Sequence, residues 1–420
     1  MTVARSQIEQ IYRAAVAAVD PYESVRAFLK PSEDGQHLVV DDAEIEVGPA
    51  GVYVIAIGKA GDSMVRGAVA ALGDVIRRGI VVTKSSATDR VDRFEYFLGS
   101  HPVPDERSLC AGDAVLTFAG DVPEDALVLC LISGGGSALV ESLQPGIDLT
   151  DLQETTLNLL RGGAPIQDLN AVRSRLSRIK GGGLLAALNH ARVVNLIVSD
   201  VLGDDLHAIA SGPTVRPDDS ISAEDVLARY RVQLILPEAE VAATRSPVAT
   251  RVVANLAKAM EAAVNESRTL GLRPVFLTDH LTGEAREVAK TIAAILTGSL
   301  HTLSPFQSGS CLLAGGETTV TVRGDGDGGR NTELALAAAL ELRGTTGLTV
   351  GFLATDGDDG LTSAAGGIVD GATITSENAG KARRALDAND SAGFLSGIGA
   401  VWAPGTTGTN VNDLVIGIVE

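Results

Sequence analysis

The chain has 420 residues, of which 45% are hydrophobic and 21% charged, enough apolar material for two to three cores at ~150 residues each and too much for a disordered chain. Its 34 Lys and Arg against 53 Asp and Glu leave a net charge of −19, which argues against nucleic acid or an anionic membrane surface as a partner. The 47 glycines exceed the ~7% of ordinary proteins, a surplus expected where loops wrap a ligand.

In chain order, Ile8, Ile11, Tyr12, Ala15 and Val19 fall at helical spacing, so the N-terminus reads as a helix and not as a signal. No stretch approaches ~18 uncharged apolar residues, and the chain reads as soluble and cytoplasmic. Val52–Ile57 is a buried strand, followed by a helix from about Asp62 to Leu72, a strand at Gly79–Thr83 and a helix at Asp105–Phe118 that Pro104 and acidic residues open. Leu127–Ile132 is a third buried strand. Helices follow near Thr150–Leu160 and Asn170–Ile179, then a strand at Val193–Ser199. Such alternation predicts an α/β fold, Rossmann-like, with an open, mostly parallel sheet. Periodicity fails between Arg231 and Pro247, which sets expected domains of 1–236 and 237–420 with a cleft between them. Beyond the break, a long helix is expected over Ala249–Thr269, a strand at Arg273–Leu277 and a helix at Gly283–Leu296. Strands Ser310–Ala314 and Thr318–Arg323 are close enough to pair antiparallel, so the second sheet is expected to be mixed. Helix Asn331–Leu342 and strands Leu348–Ala354 and Asn412–Val419 complete the pattern.

Cys110, Cys130 and Cys311 are too few and too scattered for a disulfide framework or a structural zinc site. The glycine clusters are more telling. Ile57-Gly58-Lys59-Ala60-Gly61, Ser133-Gly134-Gly135-Gly136-Ser137 and Thr355-Asp356-Gly357 each follow a predicted strand, and open parallel sheets bind ligands outside the carboxyl ends of their strands. Backbone N–H groups of Ser133, Gly134, Gly135, Gly136 and Ser137 suit phosphate oxygens. Lys59 places an ammonium at the same edge, in a sequence that is not a Walker A motif. Gly324–Gly329 formally matches G-x-G-x-x-G, but Asp325 and Asp327 would repel a pyrophosphate. The loop reads instead as a flexible one that presents Arg330 and Asn331 to a phosphoryl group. Asn170, Arg173 and Lys180 lie on or beside a basic helix suited to clamp a carboxylate or phosphate. Asp200 is the candidate base, and Asp204, Glu317 or Asp356 are candidate ligands for Mg²⁺, which needs few carboxylates when phosphates complete its shell. His101 reads as a structural histidine at a helix entry.

Taken together, these motifs resemble the class II glycerate 2-kinases. The resemblance rests in the first half on Ile57-Gly58-Lys59-Ala60-Gly61, His101-Pro102-Val103-Pro104-Asp105, Ser133-Gly134-Gly135-Gly136-Ser137-Ala138, Ile179-Lys180-Gly181-Gly182, Ser199-Asp200-Val201 and Ala210-Ser211-Gly212-Pro213-Thr214. In the second half it rests on Gly315-Gly316-Glu317-Thr318-Thr319, Gly328-Gly329-Arg330-Asn331 and Thr407-Gly408-Thr409-Asn410. It runs nearly end to end. It implies an N-terminal glycerate-kinase domain, a C-terminal MOFRL domain, and ATP-dependent phosphorylation of D-glycerate at its 2-hydroxyl to give 2-phosphoglycerate and ADP. Lys59 and Arg330 match residues regarded in that family as belonging to the active site. ATP and D-glycerate are then the small-molecule partners, Mg²⁺ the cofactor, and a homodimer is left open. The rival readings are an NAD(P)-dependent hydroxypyruvate reductase, with the glycine-aspartate loop as its cofactor site, and a non-enzymatic small-acid sensor.

Overall fold

A computed structural model of the chain describes residues 2–32, 37–40, 43–85, 90–124, 126–216, 220–238, 246–300, 306–360 and 362–420. Helices α1 (Val3–Ala18) and α2 (Pro21–Phe28) precede three short strands, β1 (Leu29–Pro31), β2 (His37–Val40) and β3 (Ala43–Glu46), which form a small antiparallel sheet. Next come β4 (Val52–Ile57), α3 (Gly61–Leu72), β5 (Ile76–Thr83), β6 (Phe94–Leu98), α4 (Glu106–Asp121) and β7 (Leu127–Ser133). They are followed by α5 (Gly136–Leu139), α6 (Leu149–Arg161), α7 (Ile166–Leu176), α8 (Gly183–Ala187), β8 (Arg192–Val198), α9 (Ala223–Tyr230) and β9 (Ala249–Ala254).

The six-stranded sheet runs β6-β5-β4-β7-β8-β9, and its pairings from β6 through β8 are all parallel. Every residue of β7 is buried, as a strand covered on both faces requires, whereas β6 is largely open to solvent. Helix starts follow their caps: Asp105 accepts from Arg107 N at 2.9 Å, and Asp148 from Asp151 N at 2.8 Å.

The remaining elements are α10 (Leu256–Thr269), β10 (Arg273–Leu281), α11 (Ala285–Gly298), β11 (Ser310–Gly316), α12 (Arg330–Leu342), β12 (Leu348–Ala354), β13 (Gly366–Asp370), α13 (Ala379–Asp387), α14 (Ser391–Gly397), β14 (Val401–Trp402) and β15 (Asp413–Val419). They build a second six-stranded sheet in the order β10-β11-β15-β12-β13-β14. It is mixed, with β10 and β11 parallel and the other neighbours antiparallel. Helix α12 is buried continuously from Asn331 to Ala339 and forms the middle of this unit.

Three details differ from the sequence expectation. Ala249–Ala254 is the edge strand β9 and not the start of a helix: its Thr250, Val252 and Val253 are β-branched, and Asn255 starts α10 by accepting from Lys258 N at 3.0 Å. Thr318–Arg323 forms no strand. Thr319 makes a single bridge to Glu284, and the antiparallel partner of β11 is β15, from the far end of the chain. The chain also divides into compact units Pro21–Val253 and Met1–Asp20 with Ala254–Glu420, a division at the last residue of β9 where the sequence break suggested 236/237. Within the expected linker, residues 239–245 lie outside the described residues.

Helix α1 belongs to the second unit by its packing. Its buried face, with Ile8, Ile11, Tyr12 and Ala15, touches α10, β12 and β15. Tyr12 donates its hydroxyl to the Ala354 carbonyl at 2.9 Å, and the Val19 carbonyl accepts from Thr409 Oγ1 at 2.8 Å. Ile8→Ala should therefore cost about 3 kcal/mol. It should speed amide hydrogen exchange in β12 while leaving β7 protected. Equal protection of β12 in the variant and the wild type would show that α1 contributes little to this core.

Candidate functional site

In the Pro21–Val253 unit, the carboxyl ends of β4, β7 and β8 bring three predicted segments together. The turn after β7 is tied to the turn after β4 twice: Lys59 N donates to the Gly134 carbonyl at 3.0 Å, and Ala60 N to Ser133 Oγ at 3.1 Å. The Asp200 carboxylate from the end of β8 lies against Gly134, where a β-carbon would collide with it. Gly135 has φ +81°, and a β-carbon there would fall 3.1 Å from His101 Cδ2 and 3.2 Å from Lys59 Cγ. Only glycines let these three loops approach so closely. The Lys59 side chain is exposed. His101 is half-buried, and burial followed by the charges of Lys59 and Lys84 pushes its imidazole down to about 4.

Ser137 leads from this turn into a second group. Its hydroxyl lies 2.7 Å from Ser211 Oγ, which donates to Asn170 Oδ1 at 3.1 Å, while Arg173 Nη2 donates to the Ser137 carbonyl at 3.3 Å. Asn170, Ser211, Lys180 and Gly181–Gly183 line a cavity of about 340 Å³. Behind it, Lys180 is ion-paired to Glu141, a residue that sequence reasoning missed. The one available signal was a single acid within the apolar run Leu139-Val140-Glu141-Ser142-Leu143. Asp204 lies in the 3₁₀ turn Leu202–Asp204, with φ +55°.

The second unit holds the other predicted residues. Arg330 opens α12 and is gripped on one edge by Asp413 of β15, through Nε and through Nη2 at 3.1 Å, and by Glu317 at Nη1 at 3.0 Å. Burial opposes its charge, but Asp413, Glu317 and Asp359 outweigh that and hold the guanidinium protonated well above its ordinary range. Asn331 is fully buried. Its N–H donates to Asp359 Oδ1 at 2.9 Å, and Thr332 N donates to Asp359 Oδ2 at 2.7 Å. The first amides of α12 are thus occupied by a carboxylate, which burial raises to about 6. Asp356 is half-buried and accepts from Asp358 N at 3.2 Å.

Two expectations change here. The Gly324–Gly329 loop is tied down: Arg323 N and Gly324 N donate to Asn389 Oδ1 at 2.7 and 3.0 Å, and Asp327 N to Asp390 Oδ1 at 3.3 Å. The expected metal ligands do not form one cluster. Among the described residues no three His, Cys, Asp or Glu side chains come together to hold an ion, and Glu317 is engaged by Arg330. Among the same residues, no helix is long and apolar enough to cross a membrane.

These features, a parallel-sheet unit with a glycine-lined edge and a mixed-sheet unit with a clamped arginine, define a two-part α/β protein. Residues 7–244 match the domain of unknown function DUF4147, and residues 310–413 match the MOFRL family. The chain is 40% identical to D-glycerate 2-kinase of Thermotoga maritima, covering 88% of this chain and 90% of that one. It is 38% identical to glycerate 2-kinase of Pyrococcus horikoshii, covering 96% and 95%. A crystal structure of glycerate kinase from Thermotoga maritima superposes with a TM-score of 0.87 at 36% identity, over 99% of both chains. A relative in Agrobacterium vitis with the provisional name hydroxypyruvate reductase is 38% identical, over 98% of this chain and 93% of that one. The chain belongs to the glycerate 2-kinase family.

The closeness of Lys59 to His101 has a measurable consequence. Because the Lys59 charge helps lower the His101 pKa, Lys59→Ala should raise it, and an NMR titration of the imidazole should show the midpoint moving up from about 4. The neutral ring favours the folded state above the ordinary histidine value near 6.5. That contribution is lost as pH falls toward 4, over a shorter span in the variant. An unmoved midpoint would separate the two side chains.

Proposed function

We propose that this protein transfers the γ-phosphoryl group of ATP to the 2-hydroxyl of D-glycerate, releasing 2-phosphoglycerate and ADP. The observation that carries the reading is the turn at Ser133–Ser137, packed against Lys59 and Asp200 at one edge of a parallel sheet. Phosphoryl transfer has a loose transition state, so the protein's work is to position groups and neutralise charge. Gly136 and Ser137 begin a helical turn, and such first amides lack acceptors within the helix. They are the donors for phosphate oxygens. Lys59 supplies a mobile positive charge beside them, and Asp200 accepts the proton leaving the substrate hydroxyl. Asn170, Arg173 and Lys180 bind the glycerate carboxylate and hydroxyls. Arg330, held rigid by Asp413, stabilises charge on the transferring group, while Asn331 fixes the start of its helix through Asp359.

Mg²⁺, when bound, would supply positive charge that neutralises the phosphates of ATP. We assign Asp204 or Asp356 to it, since Glu317 is paired with Arg330. A reaction between ATP and D-glycerate belongs in the cytoplasm. The reductase reading has less support, because the amides that a dinucleotide pyrophosphate would use at α12 are taken by Asp359.

Incubation with D-glycerate, Mg-ATP and NAD(P)H separates the two. Phosphorus NMR should show ADP and 2-phosphoglycerate with nicotinamide absorbance unchanged. Nicotinamide oxidation coupled to hydroxypyruvate, without phosphoryl transfer, would overturn the proposal, and a product phosphorylated only at the 3-hydroxyl would overturn its regiochemistry. Lys59→Ala should lower kcat by ~10²-fold or more at unchanged melting temperature. Arg330→Lys keeps a cation for buried Asp413 but loses the fork, so it should also lower kcat by ~10²-fold without unfolding the chain. Near-normal kcat in either folded variant would remove that residue from the mechanism.

A further inference from the structure

Glu141 follows α5 and has no exposed surface, yet it carries a full set of donors. Ser177 Oγ donates to Oε1 at 2.5 Å, Ser142 N to Oε1 at 3.1 Å, and Lys180 Nζ pairs with Oε2. Ser177 Oγ in turn accepts from Ile179 N at 3.1 Å and Lys180 N at 3.2 Å, so both ends of Lys180 are referred to one carboxylate. Lys180 is 2% exposed and still contributes to the wall of the cavity that Asn170 and Ser211 share.

Lys180 and Arg173 are both influenced by Glu141, and the Nε of Arg173 is enclosed with no hydrogen-bond partner. Glu141 is ion-paired with Lys180, while Arg173 Nη2 donates to the Ser137 carbonyl. The other charged groups nearby are Asp113 and Arg178, both reached through Ser142 Oγ, and Arg175, Asp205, His207 and Glu224 across the cavity. An enclosed guanidinium nitrogen without a hydrogen-bond partner is costly unless an acceptor completes it.

We propose that Glu141 is a positioning residue for substrate binding, holding Lys180 at the wall of the cavity so that Lys180 and Arg173 together receive the carboxylate of D-glycerate. This rests on the kinase reading for the identity of the acid. Burial brings Lys180 down to about 8, with the Glu141 carboxylate opposing that shift and Arg173 adding to it. Removing the carboxylate therefore lowers Lys180 further, and the cation is lost at a lower pH as pH rises.

Two variants of the full-length protein test this, read by steady-state kinetics with Mg-ATP and by calorimetric titration with D-glycerate. Glu141→Gln should move the alkaline limb of kcat/KM to lower pH, and Glu141→Asp should return it toward wild type. A role in folding alone would scale activity at every pH and leave the limb in place. The double variant Glu141→Gln with Lys180→Met removes both charges, which buried pairs often tolerate. It should keep the wild-type melting temperature while KM for D-glycerate rises ~10-fold or more with a much smaller change in kcat, the signature of lost ground-state binding. A folded double variant with wild-type KM and affinity, or an unmoved limb in Glu141→Gln, overturns the proposal. If Glu141→Gln does not fold, the double variant decides. Wild-type protein that binds D-glycerate without phosphorylating it would overturn the kinase reading alone, leaving the binding arm to judge Glu141. Wild-type protein that does neither would overturn both.

Discussion

The turn after β7 is the point to which the parallel-sheet unit is tied. Its Gly134 carbonyl and Ser133 hydroxyl accept from Lys59 N and Ala60 N on one side, its Gly134 leaves room for Asp200 on another, and its Ser137 continues into Ser211, Asn170 and Arg173. A turn with ordinary side chains could not sit there, because its first β-carbons would strike the neighbouring loops. Several polar groups that are far apart in sequence are therefore fixed by one small-residue segment on the fully buried strand β7. Preorganisation of this kind is what charge-stabilising catalysis needs, since donors already in place cost no reorganisation during transfer.

The protein keeps its enclosed cations charged in two opposite ways. Arg330 is over-compensated: Asp413 and Glu317 together take three of its N–H groups, and the guanidinium is fixed in plane and in protonation. Lys180 is paired with the single carboxylate of Glu141, and the Nε of Arg173 is enclosed without a hydrogen-bond partner. The first arrangement gives rigidity. The second makes the charge of Lys180 sensitive to its surroundings. An arginine suits the former, because it cannot lose its proton under ordinary conditions, and a lysine suits the latter, because burial shifts it readily.

Much of this was legible in the sequence, for physical reasons that also mark where legibility ends. Val52–Ile57 and Leu127–Ser133 read as buried strands because a sheet covered on both faces demands uninterrupted apolar side chains. The glycine clusters after them announced close backbone approach. At Ala249–Ala254 the β-branched Thr250, Val252 and Val253 are a weak strand signal that the long amphipathic helix directly after them masks, and the edge position they take is set by a distant strand. The pairing of β11 with β15 joins residues about a hundred positions apart, and short-range spacing favours the nearer partner at Thr318–Arg323. The allegiance of α1 to the second unit rests on Tyr12, Ile8 and their distant neighbours. Glu141 and Asp359 escaped for a related reason: a buried carboxylate has meaning only through the donors that surround it, and sequence does not show them.

The formal G-x-G-x-x-G loop shows how the same letters can serve opposite ends. In a dinucleotide site such glycines bring backbone N–H groups to a pyrophosphate at the start of a helix. Here the loop is held from outside by Asn389 and Asp390, and the helix amides of Asn331 and Thr332 are given to Asp359. A phosphate would have to displace a carboxylate that is buried and already satisfied, and its charge would meet Asp325 and Asp327 on approach. The loop instead fixes the first residue of α12, and that residue is Arg330. The glycines that sequence comparison would credit to a nicotinamide cofactor thus serve to aim a guanidinium. The Ser133–Ser137 turn differs in kind: it opens a helical turn whose first amides lack acceptors within the helix, with a lysine at its side, which is why the phosphate proposal rests on it.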